Sequence, residues 1–464
     1  MVLIYFFLWI GYLGLLILAG VGLSSKVKNA EDFFLASRSL SSPRLAFSLT
    51  ISWVGATSVL ITTDEAYLHG LSALWLVGIP AWLTVLIMAF SLTGPIRRWD
   101  GIPLVGLLDK RYGVLVKEMA NILITWYMIL LAASQLVALG NFLRLFLKQN
   151  YLLSLVAGLL AVLIYATFGG LFSVVKTDLW QSVFLFAGLL AIFFFLLSPA
   201  PHAAMAEAFF LPAGLSSLFS LFPRNGLAAL SFVLAWLVSP IAWQRVQAAR
   251  SLPAAKAGLF LSAGLFALVY PLLVAIGILS RRVVELKAEK IPLMVRIIDA
   301  SFTPFWLKCL LFVTIVAAVV STFDTAVNSS ALFLSREIIA RKKKVSGSEE
   351  LMVSRLATIF VAGIAFLVAT RFESILETIG LASEIMAEGL FFPAVAMLFL
   401  RHRAPLAGFF SLSAGMIFSF GNFLSGAGVL AWPFPPWPFS LPFGLGVSIL
   451  GWVVGYLVAK TGKK

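Results

Sequence analysis

The chain has 464 residues, of which 61% are hydrophobic and only 12% are charged, and its formal net charge is +14. A soluble domain is about half apolar and about a quarter charged, so this composition excludes an ordinary soluble domain and indicates lipid as the main solvent. One cysteine excludes an internal disulfide framework, and three scattered histidines form no metal-ligand motif. Phosphate-binding glycine loops, serine nucleophile elbows and HExxH motifs are absent from the sequence. We therefore predict that the protein is not an enzyme.

Stretches of about 20 residues with few or no charges recur along the chain, and each is long enough to cross a bilayer as a helix. We predict an all-α, multi-spanning membrane protein with about 13 transmembrane helices. The short gaps between the stretches leave no room for a soluble domain, and the alternating pattern of an outer-membrane barrel is absent. The predicted spans lie near residues 3–23, 44–70, 73–94, 117–145, 151–174, 177–198, 225–246, 256–279, 303–336, 352–371, 376–400, 405–425 and 439–460.

The first span, at 3–23, has no basic start and is longer than the apolar core of a usual signal peptide. We therefore expect an uncleaved helix. If the N-terminus is outside, the segments on the cytoplasmic side hold 24 of the 34 Lys and Arg residues, those on the outer side hold 9, and Lys308 lies within a span.

Positively charged loops stay in the cytoplasm, so we predict an outside N-terminus and a cytoplasmic C-terminus in a plasma membrane of the bacterial inner-membrane type. The distribution explains the positive net charge without a nucleic-acid partner. The segment 280–296 is an exception, because it is basic although it is predicted to lie on the outer side. Glu285 and Glu289 partly balance it, and we expect a helical outer cap there.

A polar stripe interrupts the apolar span at 303–336, where the sequence reads VVSTFDTAVNSS. On a helix, Ser321, Asp324, Thr325 and Asn328 lie along one side. Such a stripe faces the interior of a helix bundle or a water-filled cavity, because polar groups facing lipid are costly. Its oxygen atoms suit a hard cation such as Na⁺. The alternative is a helix-packing face of small and hydroxylic residues, although an intramembrane carboxylate favours a functional role.

A second polar cluster opens the span that follows Gly169 in GGLFSVVKTDLWQ. Thr177, Asp178 and Gln181 precede an otherwise apolar stretch. Taken alone, Asp178 is explained as a cap or first-turn acid at a helix N-terminus. Together with Asp324, it indicates a second carboxylate inside the bundle.

Two predicted spans contain residues that interrupt helices. In the second span Gly55 is followed by Thr57 and Ser58, which have poor helix propensity, and in the seventh span Pro240 follows Ser239. Broken helices at membrane depth are tolerated where they line a cavity, and their free carbonyls can bind a cation. Two breaks five spans apart predict an inverted repeat of five plus five helices.

Four segments in chain order resemble the motifs of the sodium/solute symporter family, which includes bacterial proline, pantothenate, sialic acid and sugar symporters. They read NAEDFFLASRSLSSPRLAFSLTISW at 29–53, GGLFSVVKTDLWQ at 169–181, SPIAWQRVQAARS at 239–251 and AAVVSTFDTAVNSSALFLSREI at 317–338. The resemblance implies a LeuT-type fold with one extra helix in front and two behind. The expected units are an N-terminal helix and linker at 1–40, five-helix repeats at 41–200 and 201–402, and two C-terminal helices at 403–464.

The resemblance also implies two sites for Na⁺, the expected coupling ion. The first uses backbone carbonyls and hydroxyls of Ile51, Val54, Ala318, Ser321 and Thr322. A second site, present in some members, matches Ser321, Asp324, Thr325 and Asp178. Exchange of protons at Asp178 and Asp324 is an alternative to sodium coupling.

The expected solute site lies at the midplane between the two broken helices. Its expected walls are Trp53, Thr57, Ser58, Trp236, Ser239 and Ile241. Glu384 and Glu388 are further candidates for this wall or, alternatively, line only the inner vestibule. The two tryptophans could equally be packing residues. Pro240 resembles the proline and pantothenate branch, which favours a small carboxylate or amino acid over a sugar. We therefore expect uptake of such a solute coupled to inward sodium movement by alternating access, with a monomer sufficient. A transporter-like membrane sensor is a further alternative.

Overall fold

The structure of the protein is a computed structural model that describes residues 1–22, 24–98, 103–198, 217–284, 291–340, 346–371, 375–400, 402–426 and 428–461. These residues form α-helices joined by short helical turns, with one isolated β-bridge between Leu40 and Ala249. The predicted all-α class is confirmed. The helical outer cap expected at 280–296 lies partly outside the described residues. Residues 293–296 of this segment form the start of the short helix Leu293–Asp299.

Nineteen α-helices are present among the described residues. They are α1 (Val2–Val21), α2 (Ala30–Leu35), α3 (Ser42–Trp53), α4 (Thr62–His69), α5 (Gly78–Ile87), α6 (Thr93–Arg97), α7 (Pro103–Tyr112), α8 (Val114–Leu147), α9 (Tyr151–Leu197), α10 (Phe222–Leu237), α11 (Pro240–Ala248), α12 (Leu252–Leu279), α13 (Leu293–Asp299), α14 (Phe305–Ala340), α15 (Gly347–Ala369), α16 (Ile375–Glu384), α17 (Phe392–Phe399), α18 (Pro405–Gly426) and α19 (Leu441–Thr461). Wider π-helical turns at Thr57–Ile61, Met88–Leu92 and Ile385–Phe391 lead into α4, α6 and α17.

Nine helices in the described part of the chain are long and apolar enough to cross a membrane, or ten if α10 and α11, which meet at a 41° bend, form one span. The predicted count of about 13 therefore stays a prediction. Helix α9 shows why the two counts differ. It has 47 residues, a length of about 70 Å at 1.5 Å per residue, and Gly170 breaks it with a φ of +51°. The helix is thus long enough for two spans.

Both predicted helix breaks are present. Helix α3 ends at Trp53, and Val54 leaves the helical conformation with φ −92° and ψ 61°. Helix α10 ends at Leu237, and α11 restarts at Pro240. Proline has no N–H to donate and its φ suits the first turn, so it is tolerated at this position. The chain thus places two helix interruptions inside the bundle.

Helices α8 and α14 form the centre of the molecule. In their most apolar windows 83% and 89% of residues are buried, against 22% for α1 and 22% for α19. Helix α14 packs against α3, α8, α9 and α15. The polar stripe of α14 is therefore surrounded by protein, as the sequence predicted.

Candidate functional site

Four of the five residues expected at the first sodium site lie together where α14 passes the break after α3. The Ser321 hydroxyl donates to the Ala318 carbonyl at 2.8 Å and reaches the Ile51 carbonyl at 3.0 Å. The Thr322 hydroxyl lies 3.3 Å from the same Ala318 carbonyl. All four residues are buried. The fifth, Val54, is the residue at which α3 breaks.

Close approach of the backbone explains the glycine at this break. A Cβ atom on Gly55 would lie 2.5 Å from Thr322 Oγ1 and 2.6 Å from Gln135 Oε1. The Gln135 side chain accepts a hydrogen bond from the Ala56 N–H at 2.9 Å, so it satisfies a donor that the break sets free. The broken helix is therefore held against α14 and α8 by contacts that a larger residue would block.

The ligand set at this position is neutral, consisting of carbonyl and hydroxyl oxygens. Hard oxygen ligands suit alkali and alkaline-earth cations rather than soft metals. Sites for divalent ions such as Ca²⁺ draw on Asp or Glu carboxylates, and the described residues contain no group of three His, Cys, Asp or Glu side chains arranged to hold a metal ion. The chemistry of this oxygen cluster therefore fits a monovalent cation.

The residues expected at the second site also converge. The Asp178 carboxylate accepts a hydrogen bond from the Ser48 hydroxyl at 2.5 Å, and Asp324 accepts one from the Tyr165 hydroxyl. The Thr325 hydroxyl lies 2.9 Å from that of Ser52. All these groups are buried. A cationic side chain of the protein shares this position.

That cation is Arg245, which the charge count assigned to a cytoplasmic segment. This assignment was wrong. Arg245 lies on α11 with its side chain fully buried. Its Nη2 atom lies 3.8 Å from an Asp178 carboxylate oxygen and donates to the Thr325 hydroxyl at 2.9 Å. The guanidinium supplies a positive charge beside the two aspartates. Asp178 Oδ1 still has no hydrogen-bond partner among the described residues.

Other polar residues singled out in the sequence have local or packing roles. The Thr177 hydroxyl donates to the Ser173 and Val174 carbonyls of its own helix, and Gln181 donates to the Tyr12 hydroxyl on α1 at 3.0 Å. Asp178 itself lies inside α9, beyond the break at Gly170. It is not a helix cap, so that alternative explanation is wrong.

A small cavity of about 30 Å³ adjoins the first oxygen cluster. All six residues expected at the solute wall line it, and Gly55 and Thr322 line it too. The six are Trp53, Thr57, Ser58, Trp236, Ser239 and Ile241. Both helix breaks therefore border one space, and that space shares Thr322 with the oxygen cluster.

Aromatic rings fill most of the region around this cavity. The ring centroids of Trp53 and Trp236 lie 5.0 Å apart, and Phe266 stacks on Trp53 at 5.8 Å. The cavity volume corresponds to the space of about one liquid water molecule, whereas ligand pockets usually measure about 300–1,000 Å³. The two tryptophans thus pack against each other and also close the cavity, so an organic solute requires these rings to move.

Glu384 and Glu388 are not among the residues that line this cavity. Both are fully buried on the side of the C-terminal helices. Glu384 accepts hydrogen bonds from Asn422 and Ser440. A Cβ atom on Gly444 of α19 would lie 2.5 Å from a Glu388 carboxylate oxygen. These acids therefore do not line the cavity between the helix breaks, and their alternative position in the inner vestibule stays a prediction.

Three buried side chains of the site were missed in the sequence: Gln135, Tyr165 and Arg245. Each lies far along the chain from its partner, so spacing could not reveal the pairing. Gln135 interrupts an apolar span, and a freed N–H at a helix break requires an acceptor. Together, these two facts could have indicated that Gln135 accepts a hydrogen bond at a helix break.

The family model described as "Sodium:solute symporter family" matches residues 33–413 of the chain. High-affinity choline transporter 1 of Drosophila melanogaster is 23% identical over 391 residues, which cover 80% of this chain and 62% of that protein. The sodium/glucose cotransporter of Vibrio parahaemolyticus is 25% identical over 435 residues, covering 83% and 78%. The chain thus spans less than two thirds of the Drosophila relative.

Solved structures show the same fold. A Na⁺-coupled sialic acid symporter in a substrate-bound, outward-open state superposes with a TM-score of 0.76 at 19% identity, covering 98% of each chain. MhsT in complex with L-phenylalanine gives a TM-score of 0.56 at 12% identity, covering 90% of this chain and 98% of that one. Both are LeuT-type transporters, so the predicted fold is confirmed.

Proposed function

Because the chain belongs to the sodium:solute symporter family, we propose that it couples inward sodium movement to the uptake of a small organic solute by alternating access. The family consists of multi-pass membrane transporters rather than enzymes, which agrees with the prediction from the sequence. Sodium acts here as the coupling ion and not as a resident cofactor.

The shared position of Thr322 carries this proposal. Thr322 lies in the oxygen cluster that fits a monovalent cation, and it also lines the cavity between the two helix breaks. An ion bound at the cluster holds α14 against the break at Gly55, which forms part of the cavity wall. Binding of one ligand thereby favours the arrangement that binds the other, and such coupling acts equally in both directions.

A small carboxylate or amino acid is our first candidate for the solute. Ser239 and Ile241 line the cavity at the start of α11. The N-terminus of a half-helix favours an anionic group of the solute through its free N–H groups and its dipole. The Thr57 hydroxyl is buried without a hydrogen-bond partner among the described residues, so it is free to bond a polar solute group.

A quaternary ammonium compound is the second candidate. Trp53, Trp236, Tyr127 and Phe232 line the cavity, and aromatic rings bind such cations through cation–π attraction. One relative of the chain is named as a choline transporter, whereas others are named for glucose and sialic acid. A sugar therefore stays an alternative that the experiment must include.

The deciding experiment is a thermal-shift screen of purified protein against carboxylates, amino acids, quaternary amines and sugars, with Na⁺ or K⁺ present. A true solute raises the unfolding temperature, and does so more in Na⁺. Each positive compound is then tested for accumulation in proteoliposomes under an imposed sodium gradient. Accumulation driven equally by a pH gradient without Na⁺ would favour proton coupling, and the absence of any accumulation would favour the sensor.

The finer features of the expected protein belong to the same proposal. We propose a second cation site at Asp178, Asp324 and Thr325. There the positive charge of Arg245 would offset part of the negative charge of the two aspartates. We propose a plasma-membrane location with the N-terminus outside, and repeats at 41–200 and 201–402 flanked by the helices of 1–40 and 403–464. The ion cluster and the cavity are built from a single chain, so a monomer is sufficient for this mechanism.

A further inference from the structure

A groove of about 590 Å³ lies between the linker that leads into α3 and the outer face of α9, away from the central cavity. Three cations are among its lining residues: Lys26 from the linker, Arg44 from the first turn of α3 and Lys176 from α9. Apolar residues of α9 line it too, including Leu179, Trp180 and Val183. The groove therefore combines basic and apolar lining residues.

The three cations have no anionic partner within the described residues. Within the part of the chain that the structure describes, their side chains form no ion pair or hydrogen bond, and the acids of the neighbouring linker are already engaged. Glu31 pairs with Arg38 at 3.0 Å, and Asp32 accepts hydrogen bonds from Ser37 and from the Lys28 N–H. Three like charges around one groove repel one another, so an anionic ligand would stabilise the arrangement.

The groove lies at the boundary between the apolar and polar parts of the molecule. Lys26 follows α1, which ends at Val21. On α9, Lys176 precedes the apolar stretch in which Trp180 and Val183 are 49% and 58% exposed. An exposed Trp beside Lys is typical of the membrane–water interface. The charge distribution assigns this end to the cytoplasmic side, where the leaflet carries anionic lipids.

We propose that this groove binds one anionic phospholipid, whose headgroup phosphate contacts Lys26, Arg44 and Lys176 and whose acyl chain lies along Leu179 and Val183. Basic pockets beside membrane helices on the cytoplasmic side bind such headgroups. The groove also contacts Leu40, which is bridged to Ala249 at the start of the segment after α11. A bound lipid would thus stabilise the linker between α1 and α3, which is bridged at Leu40 to the segment after α11.

The test measures lipid binding to the full-length protein in detergent, with native mass spectrometry and thermal unfolding as readouts. The probes are phosphatidylglycerol and phosphatidylcholine of equal chain length. The groove variant carries Lys26→Gln, Arg44→Gln and Lys176→Gln. The control variant removes the same charge from the same predicted side with Arg98→Gln, Arg250→Gln and Lys256→Gln, which lie outside the groove. A third variant keeps the charge with Lys26→Arg, Arg44→Lys and Lys176→Arg.

We expect wild-type protein to retain phosphatidylglycerol in preference to phosphatidylcholine and to unfold at a higher temperature with it. The groove variant should bind phosphatidylglycerol at least tenfold more weakly, while the control and charge-keeping variants behave as wild type. Equal loss in the groove and control variants would show a general charge effect and overturn the proposal. Competition by inorganic phosphate at the same concentration as lipid would show a site for a free anion, which also overturns it. Neither readout depends on transport, so the result is independent of the proposed symport.

Discussion

Two adjacent hydroxyls on α14 carry the sodium assignment, and they differ in what else they touch. Ser321 bonds the Ile51 carbonyl on the broken helix, while Thr322 also faces the cavity. We predict that the double variant Ser321→Ala, Thr322→Ala raises the sodium concentration for half-maximal uptake at least tenfold, because two of the ion's oxygen ligands are removed; that factor corresponds to about 1.4 kcal/mol.

Sodium-dependent uptake in proteoliposomes measures this effect. Ser335→Ala is the matched control, since this buried hydroxyl on α14 donates to the Leu332 carbonyl of its own helix and has no other partner among the described residues. A folded double variant with unchanged sodium dependence would contradict the assignment.

Gly55 provides a separate test of the same site, because it lies at the break after α3 and faces Thr322 on α14. Its missing Cβ leaves room for Thr322 Oγ1 and Gln135 Oε1, which a methyl group would approach to 2.5 and 2.6 Å. Gly55→Ala should therefore push the broken helix away from α14 and abolish sodium-dependent uptake. Gly264→Ala should leave uptake unchanged, because a Cβ at Gly264 meets nothing within 4 Å. Equal activity of the two folded variants would mean that the close approach is unimportant.

Because Arg245 pairs with Asp178, replacing each aspartate by asparagine should affect the stability of the protein differently. Asp178→Asn leaves a fully buried guanidinium without its carboxylate partner, and breaking a buried ion pair costs about 3–5 kcal/mol. Asp324→Asn leaves the Asp178–Arg245 pair intact. We predict that both variants reduce the steepness of the sodium dependence, but that only Asp178→Asn strongly lowers the denaturation temperature. If both keep wild-type sodium cooperativity, the second site is absent.

The role of a residue in the site could be predicted where a local motif determined it. It could not be predicted where the role depended on a contact between helices far apart in the sequence. The hydroxyl stripe and both helix breaks follow from local sequence, because helix periodicity and Pro or Gly chemistry act over a few residues. Arg245 was misplaced because its charge was counted as a loop cation. Arg245 and Asp178 are 67 positions apart in the sequence. Their ion pair is seen only once α11 packs against α3 and α14.

At the scale of elements, the broken helices are held together at the end near the linker. The Leu40 N–H donates to the Ala248 carbonyl at 2.9 Å, and the Arg250 N–H donates to the Leu40 carbonyl at 2.9 Å. This short bridge ties the entry to α3 to the end of α11. Alternating access requires one end of the bundle to open, and we predict that this bridge breaks when the end near the linker opens.

A disulfide should therefore lock this end. Bridged strands lie about 4.8 Å apart, within the range for disulfide bonds. In a Cys309→Ala background, oxidised Leu40→Cys, Ala249→Cys protein should lose solute accumulation, and a reductant should restore it. The control is Ser411→Cys, Ser448→Cys, which links α18 to α19 where the two hydroxyl oxygens lie 3.1 Å apart. We expect that link to be tolerated, and loss of uptake in both crosslinked proteins would contradict the assignment of this end as a gate.

At the scale of the whole molecule, composition together with recurring apolar stretches of about 20 residues predicted an all-helical membrane protein. It could not give the number of spans, because α9 continues through residues on both sides of Gly170 while α3 and α4 are separated by a break. Hydropathy measures how apolar a segment is, not where the backbone turns. The small size of the cavity was equally hidden, since it depends on how Trp53 and Trp236 pack from different helices.

The orientation in the membrane is the last prediction, and it survives the correction to the charge count. Removing the buried Arg245 from the 24 cytoplasmic Lys and Arg residues leaves 23, against 9 on the outer side. Positive charge is retained in the cytoplasm, so Ser346 before α15 should be cytoplasmic and Val429 between α18 and α19 should be outside. In the Cys309→Ala background, a membrane-impermeant maleimide should label Val429→Cys in intact cells, as its side chain is 72% exposed. Ser346→Cys should react only after the membrane is opened, and the unsubstituted background should not react at all. The reverse labelling pattern would invert the topology and would place the basic groove at Lys26, Arg44 and Lys176 in the outer leaflet.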